Sequence, residues 1–243
     1  MKVLILGGTG EARELANRLV TLGHDVTSSL AGRTAAPLLP KGEIRVGKFG
    51  GVPGLVGYLQ VLGFDRLVDA THPYAELISL NADAAAARTG IRLVRLTRPA
   101  WTEPEGAGWV HVPDITAAAS ALPSGATALI TTGHEGLEAL LARDDCALLV
   151  RLIEPPGFDL PRHARLIVGC PPYGLVGETA LMKQQGVTHL ITKNSGGAQT
   201  EAKLEAARAN QAQVIVIARP AYGPAAEVGS VEEAVAALDL GRA

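Results

Sequence analysis

The sequence contains few aromatic residues, no excess of basic charge and no long apolar run. Aromatic side chains make up 4% of the 243 residues, and the formal net charge is −2. Nucleic-acid binding usually requires a basic surface or aromatic stacking platforms, so we expect no nucleic-acid partner. No apolar run approaches the length of a membrane span, and no charged leader precedes the first apolar segment. We therefore expect a soluble, unexported protein with no membrane partner.

Cysteine is also scarce. Cys146 and Cys170 lie far apart, without a Cys-x-x-Cys pair or the histidine spacing that indicates zinc. We interpret both as small buried residues, predict no metal site and expect the reducing environment of the cytoplasm.

The most informative stretch is residues 3–13, Val-Leu-Ile-Leu-Gly-Gly-Thr-Gly-Glu-Ala-Arg. Four apolar residues predict a strand buried on both faces of a parallel sheet, and helical spacing follows the glycines. A helix that begins there directs unpaired N–H groups and its positive dipole end at an anion such as a pyrophosphate. The match to G-x-G-x-x-G lacks its third glycine, and a tight turn favours glycine even without a ligand. We predict that the cofactor phosphates contact Gly8, Thr9, Gly10, Glu11 and Ala12.

The end of the second predicted strand, residues 24–30, indicates which dinucleotide binds. Proteins that bind NAD usually place Asp or Glu there to hold the ribose 2′-hydroxyl, and this sequence has neither. Hydroxyl groups and a guanidinium, which suit a 2′-phosphate, stand there instead. We therefore predict NADPH as cofactor, bound in part by Ser29, Gly32, Arg33 and Thr34.

A histidine follows the fourth predicted strand, residues 66–70. Pro73 disfavours helical backbone at His72 and suits the first turn of the next helix. Thr71 and His72 therefore lie at the carboxyl end of the strand, where open α/β sheets bind ligands. We predict that both contact the cofactor.

The second half of the sequence repeats the first. Residues 71–100 align without a gap on residues 192–221, and both halves end in a short helix that begins after an N-cap residue, Asp114 or Ser230. We predict an α/β protein of two Rossmann-like parallel-sheet units related by internal duplication, with a ligand cleft between them. The expected domains are 1–122, which binds NADP(H), and 123–243, which binds substrate. The matching tails could also be exchanged between the two sheets.

The halves differ where function is expected. The turn after the first strand of the second half lacks the paired glycines, and residues 193–197 offer a cation, an amide, a hydroxyl and free backbone donors for an anion. The same polar residues could also cap a helix or face solvent. Arg98, Arg151 and Arg219 close strands and either add positive charge or form ion pairs. We predict substrate binding by Thr132, Gly133, His134, Lys193, Asn194, Ser195, Gly196 and Gly197.

Together these motifs resemble those of the precorrin-6A reductases, over nearly the whole chain. The similarity lies in residues 5–16, in Asp-Ala-Thr-His-Pro-Tyr-Ala at 69–75, in Lys-Asn-Ser-Gly-Gly at 193–197 and in the Arg-Pro that closes the last strand. The resemblance implies NADPH-dependent reduction of precorrin-6A to precorrin-6B in cobalamin biosynthesis, with an anionic tetrapyrrole as substrate. His72 or Tyr74 could be catalytic as the proton donor, as could solvent or acidic groups of the substrate. We expect a monomer or a weak homodimer.

Three alternatives remain at this stage. A short-chain dehydrogenase would need Tyr-x-x-x-Lys, and no tyrosine here has a lysine four residues later. A non-catalytic NADP(H) sensor would keep the glycine turn without reducing any acceptor. A cobalt-precorrin-6A reductase would catalyse the same step on a metal-containing macrocycle.

Overall fold

The computed structural model describes residues 1–32 and 38–239 of the chain. Its strands are, in chain order, β1 (Lys2–Leu6), β2 (Asp25–Leu30), β3 (Glu43–Val46), β4 (Arg66–Asp69), β5 (Arg92–Leu96), β6 (Val110–Val112), β7 (Thr127–Ile130), β8 (Ala147–Leu152), β9 (Ala164–Val168), β10 (His189–Lys193), β11 (Gln213–Ile217) and β12 (Ala226–Val228). Its helices are α1 (Gly10–Thr21), α2 (Gly51–Leu62), α3 (Glu76–Thr89), α4 (Ile115–Ala121), α5 (Leu137–Leu141), α6 (Leu175–Gln185), α7 (Ala202–Ala209) and α8 (Val231–Asp239).

In the described ranges these strands form two sheets of six strands each. The order is β3-β2-β1-β4-β5-β12 in the first sheet and β9-β8-β7-β10-β11-β6 in the second. Neighbouring strands run parallel in both sheets. In each sheet, five strands of one half follow the Rossmann order 3-2-1-4-5. The strand contributed by the other half, β12 or β6, takes the sixth position. The predicted α/β class with two Rossmann-like units is confirmed.

Strand β1 is buried on both faces, as its four apolar residues predict. Val3 and Ile5 belong to a core shared with α1 and α8. Leu4 and Leu6 belong to a second core shared with α2 and α3. Burying each of these side chains contributes roughly 1.5–3 kcal/mol, so β1 is the central layer of the first unit. In the second unit, β7, β10 and β11 share a core with α6 and α7.

The tails of the two halves are exchanged between the sheets. The strand β6 of the first half pairs with β11, and β12 of the second half pairs with β5. One compact unit therefore contains the residues up to Pro99 and those from Pro220 onward, and the other contains Ala100–Arg219. These boundaries differ from the expected 1–122 and 123–243, because the repeat is equally compatible with both pairings.

The two predicted N-caps, Asp114 and Ser230, are present, and Thr9 is a third N-cap that was not predicted. The Thr9 side chain accepts a hydrogen bond from the Ala12 amide at 3.0 Å and begins α1. Asp114 accepts from the Ala117 amide at 2.8 Å, and Ser230 accepts from the Glu233 amide at 3.2 Å. Each cap satisfies one amide that the helix leaves unpaired, which fixes where the helix starts.

Some local expectations were wrong. Pro73 lies in a turn closed by a hydrogen bond from the Ala75 amide to the His72 carbonyl at 2.7 Å, and α3 begins only at Glu76. Cys146 is buried as expected, but Cys170 is exposed, and both thiols are free.

In the described residues, no helix is long and apolar enough to cross a membrane.

Candidate functional site

The glycine turn lies at the carboxyl edge of the first sheet, where β1 adjoins both β2 and β4. The Gly7 amide donates to the Ser29 carbonyl at 2.9 Å, and the Thr9 hydroxyl donates to the Ala70 carbonyl at 2.9 Å. The crossovers from β1 and β4 leave in opposite directions along the sheet at this point, which is where doubly wound sheets bind nucleotides. The Thr9 hydroxyl is used both for this bond and for capping α1, so its role is to shape the turn.

Gly8 makes the turn open to a ligand. Its φ is +117°, which side chains other than glycine rarely adopt, and a Cβ built there would have no heavy atom within 4 Å. The turn therefore exposes backbone to a space in front of the first turn of α1, where the Gly10 and Glu11 amides precede the intrahelical bonds. These features fit a cofactor pyrophosphate.

The Glu11 carboxylate has a protein partner. Arg98 Nη1 donates to both of its oxygens, at 3.2 and 3.1 Å, and the two side chains are partly buried. The pair neutralises a negative charge that would oppose a phosphate at this helix terminus. Glu11 is therefore suited to contact a cofactor through its amide, and Arg98 acts as its counter-ion. No cluster of three or more His, Cys, Asp or Glu residues suited to a metal occurs within residues 1–32 and 38–239.

At the end of β2, Ser29 is buried beside an arginine. Arg45 Nη1 donates to the Ser29 hydroxyl at 3.3 Å and to the Gly47 carbonyl at 2.6 Å, and its guanidinium lies 3.8 Å from the Phe49 ring centroid. The predicted residue Gly32 is exposed with φ +73°. Arg33 and Thr34 lie outside the described residues.

The loop after β4 presents His72 at the surface. The His72 ring Nδ1 accepts a hydrogen bond from the Tyr74 amide at 3.3 Å, and the two rings have centroids 5.8 Å apart. With Nδ1 as an acceptor, the proton of the neutral imidazole is on Nε2. His72 is exposed and Tyr74 is half-buried, so the imidazole is accessible to a ligand.

Buried charges support this loop. Asp69 accepts hydrogen bonds from the Thr71 hydroxyl at 2.7 Å and from Arg95 Nε at 3.1 Å. Arg95 also donates to Asp83 at 2.9 Å, and the Arg95 and Asp69 side chains are both 2% exposed. Thr71 is thus oriented by a charged group beneath it, at the position predicted to contact the cofactor.

The corresponding turn after β7 is built differently. The Thr131 hydroxyl donates to the Ile191 carbonyl at 3.1 Å, and the buried Thr132 hydroxyl has no hydrogen-bond partner among the described residues. Gly133 has φ +81°, and His134 follows it. The next helix, α5, covers only Leu137–Leu141, so it offers little dipole to an anion. The turn lacks the nucleotide-binding features of the first unit.

The loop after β10 places Lys193 next to an acidic partner. Lys193 Nζ lies 3.7 Å from an oxygen of Glu135, which is 76% exposed. Ser195 is buried, and Gly196 and Gly197 both have positive φ, at 68° and 81°. An exposed carboxylate is a weak partner for a cation.

Asn194 has a structural position within this loop. Its side chain accepts a hydrogen bond from the Trp101 amide at 2.8 Å and donates to the Trp101 carbonyl at 3.2 Å. Its backbone carbonyl accepts from Arg219 Nε at 2.7 Å. Of the other strand-end arginines, Arg151 is buried against Glu178. Each arginine considered as a source of positive charge therefore has a protein partner.

Sequence reasoning missed Arg45, Trp101 and Tyr222. Arg45 follows no motif, and only its place on the strand beside β2 connects it with the predicted ribose site. The two aromatic residues had a usable signal, because the repeat alignment ends at Ala100 and Ala221. One residue further, Trp101 is paired with Tyr222.

The strand orders and the glycine turn define a Rossmann-like α/β protein whose first unit has the turn of nucleotide-binding proteins. The family model of the precorrin-6x reductases CbiJ/CobK matches residues 2–239. The chain therefore belongs to the CbiJ/CobK precorrin-6x reductase family.

Individual relatives agree with the family model. A precorrin-6A reductase of Rhodococcus erythropolis is 44% identical over 238 residues, which are 97% of this chain and 96% of that protein. A precorrin-6A reductase of Rhodobacter capsulatus is 42% identical over 236 residues, covering 96% and 94%. A solved structure described as CobK precorrin-6A reductase has a TM-score of 0.93 at 40% identity, covering 100% of this chain and 98% of its own.

Proposed function

We propose that this protein reduces precorrin-6A to precorrin-6B with NADPH, as a step of cobalamin biosynthesis. The observation that carries the proposal is an open glycine turn at the switch point of the first sheet, in a chain similar to precorrin-6A reductases over nearly its whole length. A reductase needs an electron donor, and this turn fits a nicotinamide dinucleotide. Two free cysteines agree with a cytoplasmic enzyme.

The first unit holds the cofactor in this proposal. The amides at the start of α1 bind the pyrophosphate, and Ser29 with Arg33 and Thr34 binds the 2′-phosphate and its ribose. Bound NADPH supplies a hydride. The protein contributes by placing the cofactor and by excluding competing contacts, because the cofactor carries the reactive chemistry.

The second unit holds the substrate. A precorrin carries several acetate and propionate groups, and carboxylates are bound well by a lysine beside free backbone amides. Lys193 binds a substrate carboxylate, while Asn194 keeps the loop in shape. The Thr132 hydroxyl, which has no hydrogen-bond partner in the described part of the chain, is a further donor for this ligand.

His72 supplies the proton that accompanies the hydride. Its Nδ1 is held by the Tyr74 amide, so that Nε2 is the donor toward a ligand. Tyr74 is the second candidate in the same turn.

Replacing Arg33 with alanine is expected to raise the KM for NADPH about tenfold, the value of one charge-assisted contact. The KM for NADH should stay nearly unchanged, because NADH has no 2′-phosphate. Steady-state assays with both cofactors measure the difference, and Arg88→Ala, an exposed change on α3, is the control. Equal effects on both cofactors would exclude this role for Arg33.

Replacing Lys193 with alanine is expected to raise the KM for the precorrin about tenfold, because one carboxylate loses its cation. The dissociation constant of NADPH should not change. Lys183→Ala, an exposed change on α6 of the same unit, is the matched control. Weaker NADPH binding with an unchanged precorrin KM would show that the roles of the two units are assigned in the wrong order.

The proposed function is tested by anaerobic incubation with precorrin-6A and either NADPH or NADH. Nicotinamide absorbance and the corrinoid spectrum should change together, much faster with NADPH. Tight NADPH binding without oxidation would indicate a sensor. Turnover of only the cobalt-containing macrocycle would indicate a cobalt-precorrin-6A reductase.

A further inference from the structure

Trp101 and Tyr222 are paired by the internal repeat and have equivalent surroundings. Each lies three residues after an arginine that follows the fifth strand of a half, in the sequence Arg-Pro-Ala-Trp or Arg-Pro-Ala-Tyr. Because the chain changes units after each Arg-Pro region, Trp101 belongs to the second unit and Tyr222 belongs to the first. The first half of the sequence therefore supplies Trp101 to the second unit, and the second half supplies Tyr222 to the first unit.

Tyr222 is bonded to the loop that follows β4. Its hydroxyl donates to the Pro73 carbonyl at 2.6 Å, within the turn that presents His72. The Ser79 hydroxyl, on α3, lies 3.4 Å from the Thr71 hydroxyl at the start of the same loop. The phenol thus holds the middle of a loop that contains the predicted cofactor contacts.

Trp101 is bonded to the loop that follows β10. The indole Nε1 donates to the Gly197 carbonyl at 3.2 Å, and the backbone of Trp101 forms two hydrogen bonds with the Asn194 side chain. Trp101 thus contacts both ends of the Lys193–Gly197 loop, through its backbone at Asn194 and through its indole at Gly197.

A buried cation lies over each aromatic ring. The Arg95 guanidinium is 4.8 Å from the Tyr222 ring centroid, and Lys203 Nζ is 4.7 Å from the Trp101 ring. Both cations have low exposure, 2% for Arg95 and 4% for Lys203. A cation over the face of a ring attracts it, which favours the observed position of each ring.

The phenol remains a donor. Burial, followed by the charge of Asp69, raises the pKa of Tyr222 to about 12. The hydroxyl therefore keeps its proton at neutral pH and can always donate to Pro73.

We propose that Tyr222 and Trp101 are reciprocal positioning residues, in which Tyr222 fixes the Thr71–Ala75 loop for the cofactor and Trp101 fixes the Lys193–Gly197 loop for the substrate. The assignment of a ligand to each loop rests on the proposed function. The bonds that fix the loops are independent of it. Neither aromatic residue needs to touch a ligand, because each acts through a backbone carbonyl.

The test compares Tyr222→Phe, Trp101→Phe and the control Tyr173→Phe in the full-length protein. Tyr173 is matched to Tyr222 because its hydroxyl donates to the Gly169 carbonyl at 2.6 Å and its ring lies 4.0 Å from the Arg151 guanidinium. All three variants lose one donor of a partly buried hydrogen bond. Amide hydrogen exchange of the two loops is measured without ligands, and KM values are measured for NADPH and precorrin-6A.

Tyr222→Phe should speed exchange in the Thr71–Ala75 loop about fivefold and raise the KM for NADPH about fivefold, with the precorrin KM unchanged. Trp101→Phe should speed exchange in the Lys193–Gly197 loop and raise the KM for precorrin-6A, each about fivefold, with the NADPH KM unchanged. Tyr173→Phe should leave both loops and the NADPH KM unchanged. If the two aromatic residues only stabilised the fold, each variant would affect both loops and both KM values alike.

The proposal is overturned if Tyr222→Phe leaves its loop unchanged, or if each variant affects both loops equally. It is also overturned if the two variants raise the same KM. If the wild-type protein does not reduce precorrin-6A, the proposed function fails, and the hydrogen-exchange results still decide whether the two aromatic residues hold their loops.

Discussion

Arg95→Met is expected to lower the free energy of unfolding of the first unit by about 3–5 kcal/mol, the usual cost of removing one partner of a buried ion pair. Arg95 and Asp69 are both 2% exposed and 3.1 Å apart, and Asp83 is 2.9 Å from the same guanidinium. Methionine fills a similar volume but leaves the carboxylates of Asp69 and Asp83, and the exposed carboxylate of Glu227 at 3.6 Å, without their cation. Urea denaturation followed by circular dichroism measures the loss.

Two controls separate charge from packing. The triple variant Arg95→Met, Asp69→Asn, Asp83→Asn removes all three charges and should recover much of the lost stability. Tryptophan fluorescence should respond less to Arg95→Met, because Trp101 and Trp109 both belong to the second unit. If Arg95→Met costs under 1 kcal/mol, the charges are better solvated than their burial indicates.

His72→Asn is expected to reduce kcat for precorrin-6A reduction about 100-fold, the lower range for a lost general acid. The asparagine side chain keeps an acceptor near the position of Nδ1, so the hydrogen bond with the Tyr74 amide can remain. It removes the Nε2 donor. Single-turnover measurements with saturating NADPH test this effect on the chemical step.

The dissociation constant of NADPH should change less than threefold in His72→Asn, since the turn is retained. Tyr74→Phe, which removes the other candidate donor of the same turn, should keep most of its activity. An unchanged kcat in His72→Asn would mean that solvent or the substrate provides the proton. A large loss in Tyr74→Phe alone would assign that role to Tyr74.

The strand-end loops could be predicted because parallel strands have a simple rule. A buried apolar strand followed by a glycine or a proline places the next polar residues at the carboxyl edge of the sheet. Thr71 and Lys193 are both found there, one after β4 and one at the end of β10. The caps at Thr9 and Asp114 are equally local, since a single side chain and one amide determine them.

The exchange of tails could not be predicted, because both pairings satisfy the same repeat. The strands β6 and β12 have three residues each, too few for a clear period. The contacts that depend on this exchange, Trp101 with Asn194 and Tyr222 with Pro73, were hidden for the same reason. Arg95 lies on β5, whose sequence is Arg-Leu-Val-Arg-Leu. An arginine is rarely buried unless it is paired, and its partners Asp69 and Asp83 are distant in sequence.

The most direct test of the account follows the hydride itself. Precorrin-6A is incubated anaerobically with the protein and NADPH that carries deuterium at nicotinamide C4, and the product is analysed by mass spectrometry. The account predicts one deuterium in the macrocycle from one of the two C4 positions, with equivalent oxidation of NADPH. A reduced product without deuterium from either labelled form, or NADPH oxidation without a reduced product, would contradict it.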